Sequence, residues 1–504
     1  MIFYNEFIGV YRMEKYILTI DQGTTSTRAI LFSKKGEIVA MSQREIVNYF
    51  PQAAWVEQDP LEIFVSTIDV INELVIKTNI KSEQIDSFGI TNQRETAIVW
   101  DKNTGLPVYN AIVWQSKQTQ EICDKLIDYE ELIKEKTGLI INPYFSASKF
   151  RFILDHIENG QSKADNGELL FGTVDTWLLY KLTGGKEYKT DYSNASRTLL
   201  YNIHTLEWDD ELCRLFNIPK KYLPEVCSSS NIFGYTNVID HASLVPIASI
   251  CGDQQASLFG QNCFEKGDVK NTYGTGCFML MNTKDEIINS KYGLLSTIAW
   301  GIDGKVEYAL EGSVLIGGAS MQWLRDKLKL ISSASESEEV AKNVNDDEDI
   351  YVVPAFVGLG TPYWDNNVRG AIFGLTRNTS DKNIVKATLE SIAYQSKDVI
   401  EVMKKEAHAN ISTLKVDGGA TQNRYLMQFQ SDILNVDIKR PKISETTALG
   451  AFYLAGLSTG YFKDIDEVKK IHQYQDFYHP NMDGETRKSK YRKWKKAVKA
   501  ARAF

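Results

Sequence analysis

Three short runs carry side chains suited to moving a phosphoryl group onto an alcohol. The first is Gly252-Asp253-Gln254-Gln255, directly after the apolar stretch 244–250. A carboxylate at the end of a strand stands where α/β folds place their chemistry. A primary alcohol is a poor nucleophile, and Asp253 within hydrogen-bond reach can take its proton. Gln254 and Gln255 can fix a small hydroxylated ligand. Asp is also a leading helix-cap residue, so Asp253 equally suits the start of a following helix, and both roles can hold at once.

The second run is Thr19-Ile20-Asp21-Gln22-Gly23-Thr24-Thr25-Ser26-Thr27-Arg28. Thr24, Thr25 and Ser26 offer hydroxyls and amides to phosphate oxygens, and Asp21 can hold Mg²⁺ through water. Taken alone, the run also reads as a plain β-turn with Gly23 at positive φ. The third is Arg94-Glu95, after the strand at 87–90. Arg94 can donate to, and Glu95 accept from, two adjacent hydroxyls, or the two can form an ordinary ion pair. Tyr144, Trp114 and Phe278 can wall a small carbon skeleton or serve as core.

The elements that must carry these groups follow from periodicity and turn chemistry. Strands are expected at 16–20, 28–32 and 38–41, a meander whose first bend holds the hydroxyl-rich loop. Asp59 and Pro60 open a helix whose Phe64, Ile68, Ile71 and Val75 face the core. A mostly helical region runs from about 118 to 157, a mixed one to about 223, and 227–244 reads as loop. The run 269–280 repeats strand, small-residue turn, strand. This points to a second phosphate-gripping hairpin and two related halves facing a cleft. The stretch 331–349 is polar surface. Ser380 caps a long helix, and Val416-Asp417-Gly418-Gly419-Ala420 leads through a glycine turn into a helix from about Asn423. Tyr491, Trp494 and Val498 form one apolar stripe, so the basic tract 487–499 is the solvated face of a C-terminal helix.

Composition narrows the classes. The chain has 504 residues, too many for a single core, which predicts two or three domains. A formal charge of −8 argues against a nucleic-acid binder. Six cysteines without a CxxC pair fit a reducing cytoplasm without zinc. No apolar run approaches the roughly 20 residues that span a bilayer, so no membrane insertion is expected. Residues 1–12 lack a basic n-region and read as an extension before a start at Met13. GxxxxGK[ST] is absent, and the Gly-x-Gly fragments lack dinucleotide-binding spacing.

From about Lys15 to Lys499 the chain resembles the FGGY family of carbohydrate kinases. The motifs are Asp21-Gln22-Gly23-Thr24-Thr25-Ser26, Asn92-Gln93-Arg94-Glu95, Asn110-Ala111-Ile112-Val113-Trp114-Gln115, Gly252-Asp253-Gln254-Gln255, Tyr273-Gly274-Thr275-Gly276-Cys277-Phe278, Gly358-Leu359-Gly360-Thr361-Pro362-Tyr363-Trp364 and Asp417-Gly418-Gly419-Ala420. Each is weak alone, but their joint order is specific. Gln93-Arg94-Glu95 marks the branch that phosphorylates glycerol, as against xylulose or gluconate.

The resemblance implies an α/β fold of two ribonuclease-H-like, actin-like ATPase domains flanking a central cleft. These span 1–260 and 261–504, with a surface helix at about 485–504. It implies ATP-dependent phosphorylation of glycerol to sn-glycerol 3-phosphate in the cytoplasm. Arg94, Glu95, Tyr144, Asp253 and Gln254 would bind glycerol, with Trp114 and Phe278 against its carbons and Asp253 as general base. Thr24, Thr25, Ser26, Arg28 and Thr275 would line the phosphates. Gly318, Gln322, Gly419 and Asn423 match nucleotide-binding positions, and Asp21 and Asp253 would lie nearest Mg²⁺.

A homodimer or homotetramer is implied, and regulation by a phosphocarrier protein on a loop histidine is known among relatives. His241 lies in the matching segment with flanks that differ. That segment, 237–244, has no Arg for fructose 1,6-bisphosphate, and Phe152 replaces an expected Trp. Two other readings are a kinase for another polyol or sugar, and an actin-like nucleotide switch without a small-molecule substrate.

Overall fold

The computed structural model describes residues 14–344 and 348–504. The extension expected at 1–12 lies outside the described residues. Thirteen strands form one sheet. In chain order they are β1 (Tyr16–Gln22), β2 (Ser26–Phe32), β3 (Ile38–Glu45), β4 (Ile85–Asn92), β5 (Ser230–Thr236), β6 (Val245–Gly252), β7 (Val269–Tyr273), β8 (Cys277–Lys284), β9 (Leu295–Ile302), β10 (Lys305–Val314), β11 (Thr413–Asp417), β12 (Asp437–Pro441) and β13 (Tyr474–Tyr478). The spatial order is β13-β12-β11-β7-β8-β10-β9-β5-β6-β4-β1-β2-β3.

A five-strand unit occurs twice in this order. In β3-β2-β1-β4-β6 the first three strands are antiparallel, and β4 and β6 then add in parallel. In β10-β8-β7-β11-β12 the same directions recur strand for strand. The repeat expected from the two hairpins is therefore a repeat of topology.

The segment 227–244, expected to be loop, contains strand β5. Its polar residues and shifted register hide the strand pattern, for pairing with β6 breaks between Ser230 and Gly234. It meets β9 through one bridge, Ser230 to Ile302, and so joins the two units edge to edge.

Helix α1 (Pro60–Thr78) starts as expected, with the Asp59 side chain accepting from the Leu61 amide. Its buried stripe is Ile63, Val70, Ile71 and Leu74. Phe64, Ile68 and Val75 flank that stripe half-buried, so the core face is turned by one residue from the expected one. Helix α2 (Asp253–Gly260) follows β6, and α3 (Asp381–Ala407) and α4 (Arg424–Leu434) flank β11. In α3 the Asn383 side chain accepts from the Ser380 amide at 2.9 Å.

Helix α5 (Thr446–Thr459) lies in the second unit's sequence but packs against β1, β4 and β6 of the first. It crosses α2 with backbones in contact. A Cβ on Gly450 would sit 1.8 Å from the Ala256 carbonyl oxygen, and one on Gly260 would sit 2.0 Å from that of Thr446. Only glycine allows this approach.

The C-terminal helix α6 (Gly484–Ala503) buries Trp494 and Val498 as the stripe predicts. Trp494 Nε1 and the Tyr491 hydroxyl both donate to Asp398, at 2.8 and 2.6 Å. The tract 331–344 is largely exposed and includes the short helix Glu336–Lys342.

Candidate active site

The polyol-site candidates converge where β4 and β6 end. Strand β4 delivers Gln93, Arg94 and Glu95 into a turn in which the Thr96 amide reaches back to the Arg94 carbonyl at 2.7 Å. Glu95 at its centre has φ +60°. A non-glycine residue held there stores strain, a feature concentrated at functional sites. Arg94 Nε lies 3.4 Å from Asp253 Oδ1 and 3.6 Å from Glu95 Oε1. Arg94 Nη2 donates to the Tyr144 hydroxyl at 3.3 Å. The ring of Trp114 stands edge-on to Tyr144 and Phe278, with centroids 5.5 and 6.2 Å away. Asp253 heads α2, and its side chain is 29% exposed while Arg94 and Glu95 are 2% exposed. Asp253 is thus the more open carboxylate beside Arg94, and Arg94 in turn reaches the ring set of Tyr144, Trp114 and Phe278.

The phosphate-loop candidates approach from the β1–β2 turn. Trp114 Nε1 donates to Thr24 Oγ1 at 2.8 Å, which ties the aromatic wall to the loop. Gln58 Nε2 anchors the Thr24 carbonyl at 2.7 Å. The Gly23 amide closes the turn on the Ser26 carbonyl at 2.9 Å, and Gly23 is not among the positive-φ glycines, so the turn forms without the positive φ expected of it. Thr25 is exposed and Ser26 buried. Arg28 is already engaged, its Nη1 lying 2.6 Å from Glu445 and 3.9 Å from Asp21.

The second unit supplies a matching set of turns. The amides of Gly317 and Ala319 donate to the Thr275 carbonyl at 2.8 and 3.1 Å, and that of Gly318 donates to Gly274 at 2.9 Å. A Cβ on Gly418 would meet the Tyr273 carbonyl oxygen at 2.4 Å, and Gly418 has φ +91°. Three turns, at 273–276, 317–318 and 418–419, are therefore packed together. Gly419 has open space beside it and Gln322 is exposed. Asn423 caps α4 by accepting from the Leu426 amide at 2.9 Å, and its Nδ2 donates to Ser337.

Burial and charge set the protonation of these groups. Burial pushes the Asp253 carboxyl up, against the pull of Arg94 and Lys270. A base raised toward neutrality is better matched to proton transfer at neutral pH. Burial pushes Asp21 up to about 7, opposed by Arg28 and reinforced by Glu445 and Asp253. Such an excess of carboxylate suits a divalent cation, which would relieve the repulsion. Among the described residues no three His, Cys, Asp or Glu side chains cluster as a closed metal cage.

Several site residues escaped sequence reasoning. Glu311, on β10, accepts from Arg94 Nη1 at 2.6 Å and Nη2 at 3.1 Å, and from Arg197 Nη2 at 3.0 Å. Arg197 Nε donates to Glu95 at 2.6 Å. Lys270 Nζ donates to Gln254 Oε1 at 2.5 Å and to Thr272 at 2.8 Å, which connects Gln254 to the cluster through a buried cation. Burial drives Lys270 down to about 8, against the pull of Asp417 and Asp253. Lys149 Nζ holds the carbonyls of Pro143, Tyr144 and Phe145 at 2.6, 2.6 and 2.9 Å, which fixes the turn that carries Tyr144. The available signal was a charge inside an otherwise buried segment, which demands a partner.

Comparison with known proteins gives the family. Family models described as the N- and C-terminal domains of the FGGY family of carbohydrate kinases match residues 16–260 and 269–459. The chain is 58% identical over 497 residues to a glycerol kinase of Geobacillus sp. (strain WCH70), covering 98% of this chain and 100% of the relative. It is 57% identical over the same length to a glycerol kinase of Bacillus licheniformis, with the same coverage. Among solved structures, Plasmodium falciparum glycerol kinase with ADP aligns with a TM-score of 0.91 at 37% identity, covering 97% of this chain and 98% of that one. A gluconate kinase from Lactobacillus acidophilus shares the fold, with a TM-score of 0.87 at 23% identity over 97% of this chain and 99% of that one. The chain belongs to the FGGY family of carbohydrate kinases.

Proposed function

We propose that this chain transfers the γ-phosphoryl group of ATP to a terminal hydroxyl of glycerol, giving sn-glycerol 3-phosphate. One observation carries the reading: Asp253, the more open carboxylate, adjoins Arg94, which reaches Tyr144 in the ring set with Trp114 and Phe278, and Trp114 is hydrogen-bonded to Thr24 of the hydroxyl-rich loop. The similarity to curated glycerol kinases over nearly the full chain supports the substrate.

Arg94 donates to, and Glu95 accepts from, adjacent hydroxyls of the triol, while Trp114 and Phe278 cover its carbons. Gln254, oriented by Lys270, adds a polar contact at the same end. Asp253 takes the proton of the attacking hydroxyl as its oxygen bonds to the γ-phosphorus and the bond to the β-γ bridging oxygen breaks. Thr24, Thr25, Ser26 and Thr275 donate to phosphate oxygens, and Arg28 sits beside them. Gly318, Gln322, Gly419 and Asn423 lie along the nucleotide. Asp21 and Asp253 would hold Mg²⁺, which offsets charge on the transferring group when bound. The first unit, with α5 packed on it, and the rest of the second unit close on the substrates as two bodies and exclude water. The reading also places the enzyme in the cytoplasm.

The test is a coupled ATP-turnover assay with glycerol, dihydroxyacetone, xylulose and erythritol side by side. Glycerol should give the highest kcat/KM by at least tenfold over xylulose, about the discrimination expected when a hydrogen-bonding site meets the wrong hydroxyl pattern. Equal rates, or ATP hydrolysis indifferent to every polyol, would overturn it.

A further inference from the structure

Arg94 and Glu95 reach the polyol pocket from β4, but the group that orients Arg94 comes from elsewhere in the chain. Glu311 sits mid-strand on β10, paired with Leu280 on one side and Leu295 on the other. It belongs to the second repeat and is fully buried, with 0% of its side chain exposed. Its two oxygens occupy both terminal nitrogens of Arg94, at 2.6 and 3.1 Å, and one of Arg197, at 3.0 Å. This two-point grip is the geometry in which a carboxylate fixes a guanidinium plane.

The grip has a consequence for the base. With both Nη atoms taken, Arg94 turns only its Nε edge toward Asp253 and Glu95. Without Glu311, the full fork would be free to close on Asp253 as a two-point ion pair and occupy the oxygens that must accept the substrate proton. Arg197 feels the same hold. Its guanidinium lies 5.6 Å from the Tyr144 ring centroid, its Nε serves Glu95, and its Nη1 is buried without a partner. Arg94, Arg197 and Lys270 thus lie among the carboxylates Glu95, Glu311 and Asp253, with Asp417 also acting on Lys270.

We propose that Glu311 is a positioning residue for the polyol site, contributed across the repeat boundary, which holds Arg94 in its substrate-binding orientation and limits its contact with Asp253 to the Nε edge. This rests on the reading of Arg94 as a polyol-binding residue. It also makes the glycerol site a composite of both repeats, so that polyol affinity depends on how the two units sit.

The test measures glycerol and ADP dissociation constants by titration calorimetry for the wild type, E311Q, E311D, R94A and the double variant R94A/E311Q. E311Q should weaken glycerol by about tenfold or more and leave ADP within about twofold, since a one-sided loss in a buried pair is costly where the pair acts. The double variant should bind glycerol within about twofold of R94A alone, because Glu311 acts through Arg94. E311D keeps the charge but loses reach, and should weaken glycerol at least about threefold with ADP unchanged. Additive losses in the double variant, equal losses for glycerol and ADP, or wild-type glycerol affinity in E311D would each overturn the proposal. Should E311Q fail to fold, E311D decides the matter alone. If R94A itself binds glycerol normally, the reading of Arg94 fails, which is a different result from a silent Glu311.

Discussion

The indole nitrogen of Trp114 donates to the side-chain oxygen of Thr24 across 2.8 Å, joining a wall of the polyol pocket to the loop proposed to hold phosphate. The two substrates are therefore expected to sense each other through one hydrogen bond. Trp114→Phe keeps an aromatic wall and removes the donor. A hydrogen bond of this kind contributes about 1 kcal/mol, so kcat/KM should fall about fivefold. The diagnostic result is a parallel rise in the KM of both glycerol and ATP, read from steady-state kinetics at crossed concentrations. A rise in glycerol KM alone would show that the bond does not couple the sites.

Asp253→Asn removes the proton acceptor and keeps its shape. Turnover should drop by at least about 100-fold, the order expected for a lost general base. Glycerol binding, measured by calorimetry, should stay within a few-fold. Near-normal turnover would remove Asp253 from the chemistry.

The half-buried Asp21 makes a prediction with a definite sign. Its folded-state pKa is raised from the usual carboxylate value to about 7. Between those two values the folded protein binds the extra proton, so stability is fully present below about pH 4 and is lost as pH rises through about 7. Asp21→Asn mimics the protonated form. In EDTA, its melting temperature should match the wild type at pH 4.5 and exceed it at pH 8. Added Mg²⁺ at pH 8 should raise the melting temperature of the wild type more than that of the variant. Identical melting curves for the two proteins at both pH values would show that Asp21 carries no such burden.

Gly450→Ala should be among the most damaging single-methyl additions in the chain. The new Cβ would have to occupy a point 1.8 Å from the Ala256 carbonyl oxygen. Overpacking of ordinary cores costs about 1–3 kcal/mol, and here the obstacle is backbone and cannot rotate away. Soluble yield and thermal denaturation would register the loss, and a wild-type melting temperature would contradict the crossing described for α2 and α5.

The parts of the site that sequence made legible are those in which chemistry and turn geometry fall within a few residues. Asp253 is readable because an apolar run ends and a polar quartet begins. Thr24 to Ser26 are readable because hydroxyls crowd one bend. The doubled strand–turn–strand pattern at 16–32 and 269–280 foretold the doubled topology. Glu311 was invisible for the opposite reason. It sits inside a strand, its partners are 217 and 114 residues away in sequence, and nothing local signals them. Arg197 is a similar case, a buried cation whose partners are set by tertiary packing. Strand β5 was missed because its register breaks and most of its length faces a single neighbour, which leaves little alternation to read.

Where α2 crosses α5, the main chains press together with no side chain between them to act as a cushion. Such a crossing resists sliding but tolerates a small swivel, much as a rivet does between two blades. Glu311 and Arg94 belong to opposite blades, so any swivel tugs directly on the guanidinium. On the reading proposed for Arg94, the angle of a pair of helices would then set how firmly a three-carbon alcohol is gripped.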